Sequence, residues 1–256
     1  MRPLVLLSND DGYHAGGIQG LRLALLEWAD VVLCAPESEQ SASSHSLSLN
    51  RPLRLREHEP GVYAVDGTPA DSVYVALNAD GVLPRRPDLV VSGMNHGPNL
   101  GVDVFYSGTV AAAREGALQG FPSLAVSACR RADASAAAVA CSRLARGLFE
   151  SGLVGGRLFN VNVPEGREWT VRATRLGRRI YPGGLVRRQD PRGRDYYWIG
   201  GSDGEVAHAD APGSDTEAFD EGVIGVTPLV LDLWSSHLEG DAQLLVDACA
   251  SEGRPL

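Results

Sequence analysis

Five short apolar runs, separated by longer stretches of helical spacing, constrain this chain more than any other feature. They are Pro3 to Leu7, Val31 to Ala35, Asp88 to Ser92, Pro122 to Ala128 and Arg157 to Val163. The first four are apolar without alternation, which is the pattern of a strand covered on both faces, and the fifth, with Asn160 and Asn162 in it, closes the series. Between the first two, Ile18, Leu21, Leu25 and Trp28 recur at helical spacing after the Gly16-Gly17 turn. Helix-favouring stretches also cover Val110 to Gln119 and Ala132 to Phe149. Strands alternating with helices of this length predict an α/β fold in three layers, a mostly parallel sheet with helices on both sides. Ligands then belong at the C-terminal ends of the strands.

After about residue 165 the texture changes. Thr170 to Arg179 alternates basic and apolar residues, Pro182 to Gly184 reads as a turn, and Tyr196 to Trp198 reads as an aromatic strand. We therefore expect a single domain over 1–256, with 165–200 a β-hairpin excursion. Residues 202–215 read as a loop and Gly222 to Leu231 as a returning strand.

Charge narrows the partners. Acidic residues number 32 and basic ones 23, giving a formal net charge of −9, and every basic residue is arginine. A nucleic-acid polymer needs a basic face, which this balance opposes, whereas a small anionic ligand fits it. The run Pro3 to Leu7 is too short for a signal core or a membrane span, so a cytoplasmic protein with no membrane partner is expected. Cys34, Cys129, Cys141 and Cys249 are widely separated, with no zinc-finger spacing, and read as buried thiols in a reducing compartment.

Four polar loops follow the apolar runs or open a helix, and a parallel sheet brings all four to one edge. The first holds Asp10 and Asp11. Adjacent carboxylates repel, and a hard divalent cation such as Mg²⁺ or Mn²⁺ turns that repulsion into binding, although acidic turns that merely cap a helix are common. The second, Glu37 to Ser46, offers serine hydroxyls, including Ser41, and His45 as a proton donor; without a Gly-x-Ser-x-Gly elbow a serine nucleophile is not supported. The third, Ser92 to Gly101, offers Asn95 as a neutral oxygen ligand within a glycine-rich turn. In the fourth, Ser107, Gly108 and Thr109 open a helix whose free N–H groups suit an anion; a plain helix cap is the commoner use of such residues. Neither a Walker loop nor Gly-x-Gly-x-x-Gly is present, which opposes a nucleoside-triphosphatase and an NAD-dependent oxidoreductase.

Taken in order, these segments resemble the SurE (survival protein E) family of metal-dependent nucleoside-monophosphate phosphatases. The resemblance rests on Asn9 to Gly12, Ala35-Pro36 with Gln40 to Ala42 and His45-Ser46, Gly67 to Asp71, Ser92 to Asn99, and Ser107 to Val110. Asp190 to Arg194 with Tyr197-Trp198, then Asp215-Thr216 and Val226 to Leu229, extend it toward the C-terminus. It implies a Rossmann-like fold with an extended C-terminal arm, residues 222–256 serving oligomerisation, and a homodimer or homotetramer formed by arm exchange. It implies one divalent cation per subunit on Asp10, Asp11, Ser41 and Asn95. Two positions depart from the family: Ser44 stands where glycine is frequent, and Gln40 where arginine is.

The activity expected is hydrolysis of 5′- and 3′-nucleoside monophosphates to nucleoside and phosphate. Asn99, Ser107, Gly108 and Thr109 would hold phosphate oxygens, a water would attack in line, and His45 is the candidate to protonate the leaving oxygen. The alternative is a protein that binds nucleotide and metal without turnover.

Overall fold

The computed structural model describes residues 2–181, 184–199 and 206–250, excluding the side chains of 249 and 250. In chain order the elements are β1 Leu4–Ser8, α1 Gly16–Leu26, β2 Asp30–Pro36, β3 Leu55–Glu59, β4 Val62–Val65, α2 Pro69–Asn78, β5 Leu89–His96, α3 Gly108–Leu118, β6 Ser123–Ala128, α4 Ala134–Glu150 and β7 Leu158–Val163. There follow β8 Val171–Ala173, β9 Arg179–Ile180, β10 Leu185–Gln189, β11 Asp195–Ile199, β12 Ala207–His208, α5 Asp215–Asp220, β13 Ile224–Leu229 and α6 Glu239–Ala250. Short 3₁₀ turns cover Gly101–Phe105 and Ser236–Leu238.

The main sheet runs β3-β4-β2-β1-β5-β6-β7-β13-β8. From β4 to β7 every neighbouring pair is parallel; β3 and β13 enter antiparallel to β4 and β7. Chain order moves outward from β1 through β2 to β4, then returns to β5 on the other side of β1 and proceeds to β6 and β7. Strand order thus reverses between β1 and β5, and the loops leaving these two strands open a crevice at the C-terminal edge.

Burial explains the layers. β1 and β6 are buried along their whole length, as expected of strands covered on both faces. On one face α1 and α4 cover the sheet with Ile18, Leu21, Leu25, Ala137, Cys141 and Leu148. Trp28 ties them: its Nε1 donates to Ser142 Oγ at 3.0 Å, and that hydroxyl donates to Ala24 O at 2.8 Å. On the other face α2 and α3 pack against each other over Leu4, Leu6, Val73, Val90 and Ala112. Each fully buried leucine or isoleucine contributes about 1.5–3 kcal/mol relative to exposure.

Several expectations need adjustment. β5 extends to His96, so Asn95 and His96 stand on a strand end rather than in a loop. Val171–Ala173, inside the range read as an excursion, joins the main sheet beside β13. The protruding hairpin is β10–β11, which turns at 190–194; of the turn expected over 182–184, Pro182 and Gly183 lie outside the described residues. Within 202–215, residues 202–205 lie outside the described residues, Ala207–His208 forms β12, and Asp215 opens α5. The returning strand is β13, paired with β7 from Gly225↔Asn162 to Leu229↔Leu158. Cys34 and Cys141 are buried thiols, but Cys129 is only half-buried because it follows β6 where the sheet ends; the Cys249 side chain lies outside the described residues. Among the described residues no helix is long and apolar enough to cross a membrane.

Candidate active site

The crevice is acidic on its β1 side. Asp10 is 5% exposed, and burial, followed by the charge of Asp11, pushes its carboxyl up to about 6 against the hydrogen bond from Thr109. Asp11 is half-buried; burial raises it too, while His96 pulls it down. Asn9 is fully buried, its Nδ2 donating to Gly12 O at 2.9 Å. Asn9 Oδ1 and Asp11 Oδ2 are buried without a hydrogen-bond partner. Unpaired buried oxygens are unfavourable, and two of them beside a carboxyl resisting ionisation make a place that a positive charge would stabilise.

The opposite wall is the start of α3. Ser107 caps the helix, its hydroxyl accepting from Val110 N at 3.1 Å. Thr109 is fully buried and its hydroxyl donates to Asp10 Oδ1. Gly108 lets the two walls meet: a Cβ there would stand 2.7 Å from Asp10 Cβ and 2.9 Å from Asp10 Oδ2. Of the hydroxyl donors expected for an anion, Thr109 donates to Asp10, whereas Ser107 accepts as a cap and keeps its own O–H to donate.

The loop after β2 closes the crevice. Gln40 N donates to Asp10 O at 2.7 Å, so this segment runs along the acidic wall. Ser44 N and Oγ donate to Tyr106 O and Phe105 O, at 3.0 and 2.6 Å. His45 Nε2 is 2.8 Å from Glu115 Oε2 on α3. Burial pushes the Glu115 carboxyl up, but hydrogen bonds from His45 and Gln119 outweigh it and hold it below the usual range. Ser41 is exposed and donates to Glu39 Oε1 at 2.8 Å. Ala42 and Ser44 both have left-handed backbones, φ 58° and 54°.

On the β5 side, Asn95 Nδ2 donates to Gly97 O at 2.8 Å, leaving its oxygen as the atom able to bind a cation. Asn99 is pinned. Its Nδ2 donates to Ser127 Oγ at 2.9 Å, its N–H donates to Asn162 Oδ1, and its carbonyl accepts from both Asn160 and Asn162. One N–H of its amide thus goes to β6 and its main chain is held by β7, which brackets the 99–107 segment and leaves the second amide N–H as a donor.

The structure brings Asp10, Asp11, Gly108 and Thr109 together, with the 40–45 loop beside them. It also adds Glu115, which the motifs did not single out and which holds His45, and it gives Asn9, quoted only as part of a motif, an unpaired oxygen. The signal for Glu115 was a lone carboxylate on an alanine-rich helix, a position that reads equally well as solvated surface.

This arrangement is a doubly wound α/β protein with its ligand crevice on the switch point, lined by oxygen atoms and faced by a helix N-terminus. Residues 5–183 match the family described as Survival protein SurE. The chain is similar to the 5'-nucleotidase SurE of Sorangium cellulosum (strain So ce56), at 60% identity over 250 residues covering 96% of each chain. It is also similar to the 5'-nucleotidase SurE of Anaeromyxobacter sp. (strain Fw109-5), at 55% over 239 residues and 91% of each. The crystal structure of the SurE protein from Aquifex aeolicus superposes with a TM-score of 0.82 at 36% identity, covering 95% of this chain and 99% of that one. The chain belongs to the SurE family.

Proposed function

We propose that this chain is a divalent-cation-dependent phosphatase that hydrolyses nucleoside monophosphates, both 5′- and 3′-nucleotides, to nucleoside and phosphate. The reading rests on the switch-point crevice, where Asp10 resists ionisation next to the unpartnered Asn9 Oδ1 and Asp11 Oδ2. Relatives bearing the name 5'-nucleotidase support the same activity.

The donor set fits a hard cation. It is made of carboxylate, amide and hydroxyl oxygen atoms, the ligand types that suit Mg²⁺ and Mn²⁺. Asp10, Asp11, Asn95 and Ser41 would hold Mg²⁺ or Mn²⁺, with Ser41 leaving Glu39 to do so. When bound, the cation supplies charge that offsets the phosphate's own and the charge developing in the transition state.

The chain's residues do the rest. Thr109 keeps the Asp10 carboxylate turned toward α3, and Gly108 lets a phosphate oxygen approach the helix start. A water attacks phosphorus in line, the bond from phosphorus to the sugar oxygen breaks, and that oxygen takes up a proton. His45 is the candidate donor. With Nε2 on Glu115, Nδ1 is the ring atom left to deliver the proton.

Oligomerisation fits the exposed apolar residues after β13, among them Val230, Leu233, Trp234, Leu244 and Leu245, which a second copy forming a dimer or tetramer would cover. Sedimentation of the intact chain reads the state directly.

Phosphate release from a panel of nucleoside monophosphates, with Mg²⁺ or Mn²⁺ and with chelator, tests the activity. Release should require the cation and collapse in Asp10→Asn. Cation-dependent nucleotide binding without release would replace the enzyme by a nucleotide-binding protein.

A further inference from the structure

The segment that delivers α3 to the crevice is fastened to a distant part of the chain through two buried carboxylates. The 3₁₀ turn Gly101–Phe105 lies between Asn99 and the helix cap Ser107. At its first residue, Gly101 N donates to Asp215 Oδ2 at 2.9 Å, while Gly177 N donates to Asp215 Oδ1 at 2.6 Å. The two backbones are so close that a Cβ on Gly101 would stand 2.6 Å from Gly177 O.

Asp103 is the second fastening. Its carboxylate accepts from Arg179 Nη1 at 2.5 Å, from the Tyr181 hydroxyl, and from Leu100 N in its own turn at 3.2 Å. The Arg179 and Asp103 side chains are only 15% and 11% exposed. The carbonyl of the same residue accepts from Tyr106 N and Ser107 N, both at 2.9 Å. Asp103 thus grips the 179–181 strip with its side chain and the α3 cap with its main chain. Burial, and then the Asp103 carboxylate, push the Tyr181 phenol up to about 12, so it remains a donor throughout the working pH range.

We propose that Arg179 and Tyr181 are positioning residues, setting through Asp103 where the Ser107–Thr109 helix start meets the substrate phosphate. The inference rests on the phosphate site of the proposed function. Neither residue needs to touch substrate. Their effect is to fix the Gly108 N–H against Asp10, and small displacements of such a donor are felt strongly in binding and rate. The carboxylate wall hangs from β1 and meets this fastening only through the Thr109 bond to Asp10 and the contact at Gly108, so cation binding should respond far less than phosphate binding.

The test uses the full chain in four variants: Tyr181→Phe, Arg179→Met, Arg179→Lys and Asp103→Asn. Binding of Mn²⁺ alone, binding of inorganic phosphate to the Mn²⁺-loaded protein, kcat, KM and thermal midpoint are measured for each. Tyr181→Phe and Arg179→Met should weaken phosphate binding and raise KM by about tenfold or more, with Mn²⁺ affinity and kcat both falling far less. Arg179→Lys, which keeps a charged donor, should recover most of that loss. Phosphate affinity equal to the parent's in folded variants overturns the proposal. So does a parallel fall in Mn²⁺ affinity, kcat and thermal midpoint, which marks a merely structural clamp, and so does a Mn²⁺-loaded parent that binds no phosphate. A parent that binds phosphate but releases none from nucleotides refutes the phosphatase reading and leaves the positioning test intact. Tyr181→Phe, which removes one hydroxyl, keeps the test decisive if Asp103→Asn does not fold.

Discussion

His45 Nε2 lies 2.8 Å from Glu115 Oε2, joining the loop after β2 to the middle of α3 across 70 residues of sequence. The pair is largely withdrawn from water, at 17% and 5% side-chain exposure. It anchors the same loop that carries Ser41 past Asp10.

Glu115→Gln should therefore destabilise the protein at neutral pH by about 1–3 kcal/mol, because a charge-assisted bond to a buried partner is lost. The sign of the pH dependence follows from the lowered Glu115 carboxyl. A depressed carboxylate contributes stability above its unfolded value, and that stability disappears as pH falls through the folded one. Thermal midpoints of parent and variant should converge in acid and separate above the ordinary glutamate range. A constant gap at all pH values refutes the assignment.

Asp10 predicts the opposite slope. Its carboxyl is raised to about 6, so the folded state holds the proton more tightly than the unfolded chain does. Without cation, stability should fall by roughly 2–3 kcal/mol as pH climbs from 4 through 6, and Asp10→Asn should abolish this loss. Added Mn²⁺ should remove the slope in the parent and leave the variant unmoved. Melting curves in chelator and in Mn²⁺, at several pH values, decide it.

Ala42 and Ser44 share a left-handed backbone but should respond differently to glycine. Ala42 is exposed and has no side-chain bond to lose, so Ala42→Gly should stabilise by about 1 kcal/mol. Ser44→Gly relieves the same strain but forfeits the 2.6 Å bond from Ser44 Oγ to Phe105 O. Opposed effects of about 1 kcal/mol each leave it near neutral, as chemical denaturation would reveal.

Gly108→Ala separates packing at the crevice from helix stability. Alanine favours the helix by up to about 1 kcal/mol, yet its methyl group would meet Asp10 and the Pro69 ring at 2.7–3.0 Å. Turnover should drop at least about a hundredfold through displacement of Asp10. Comparing kcat with thermal midpoint tells this apart from unfolding, which would lower both.

The central strands and the crevice were legible because buried parallel strands announce themselves as unbroken apolar runs, and parallel topology forces their loops to one edge. What went unread was the segment from β3 to α2. Every residue of β3, Leu55–Glu59, is exposed at the sheet margin, so no apolar pattern marks it. β4 has four residues, and the capping box between Thr68 and Asp71 that starts α2 lies in a segment quoted as a motif but not read as a helix start. At the site, residue types were easier to read than partners. A hydroxyl at a helix start can cap, bind an anion or serve a carboxylate, and only the three-dimensional neighbourhood assigned Thr109 to Asp10. The grip of Arg179 and Tyr181 on Asp103 spans more than 70 residues and leaves no local trace.

The insertion of β13 between β7 and β8 bears on how the molecule is made. A nascent chain leaving the ribosome exposes residues 4–163 first, and these contain every strand from β3 to β7 together with Asp10, Asp11, Gly108 and Thr109. The acidic wall can close while the polypeptide is still growing. β8 emerges next and has no place in the sheet until 224–229 arrive. Gly101 likewise waits 114 residues for the carboxylate of Asp215. A truncated product that stops short of α5 would carry a formed acidic wall and a helix start held at Asp103 but not at Gly101, a built-in order in which the half aimed at the cation is complete before the half aimed at the phosphate.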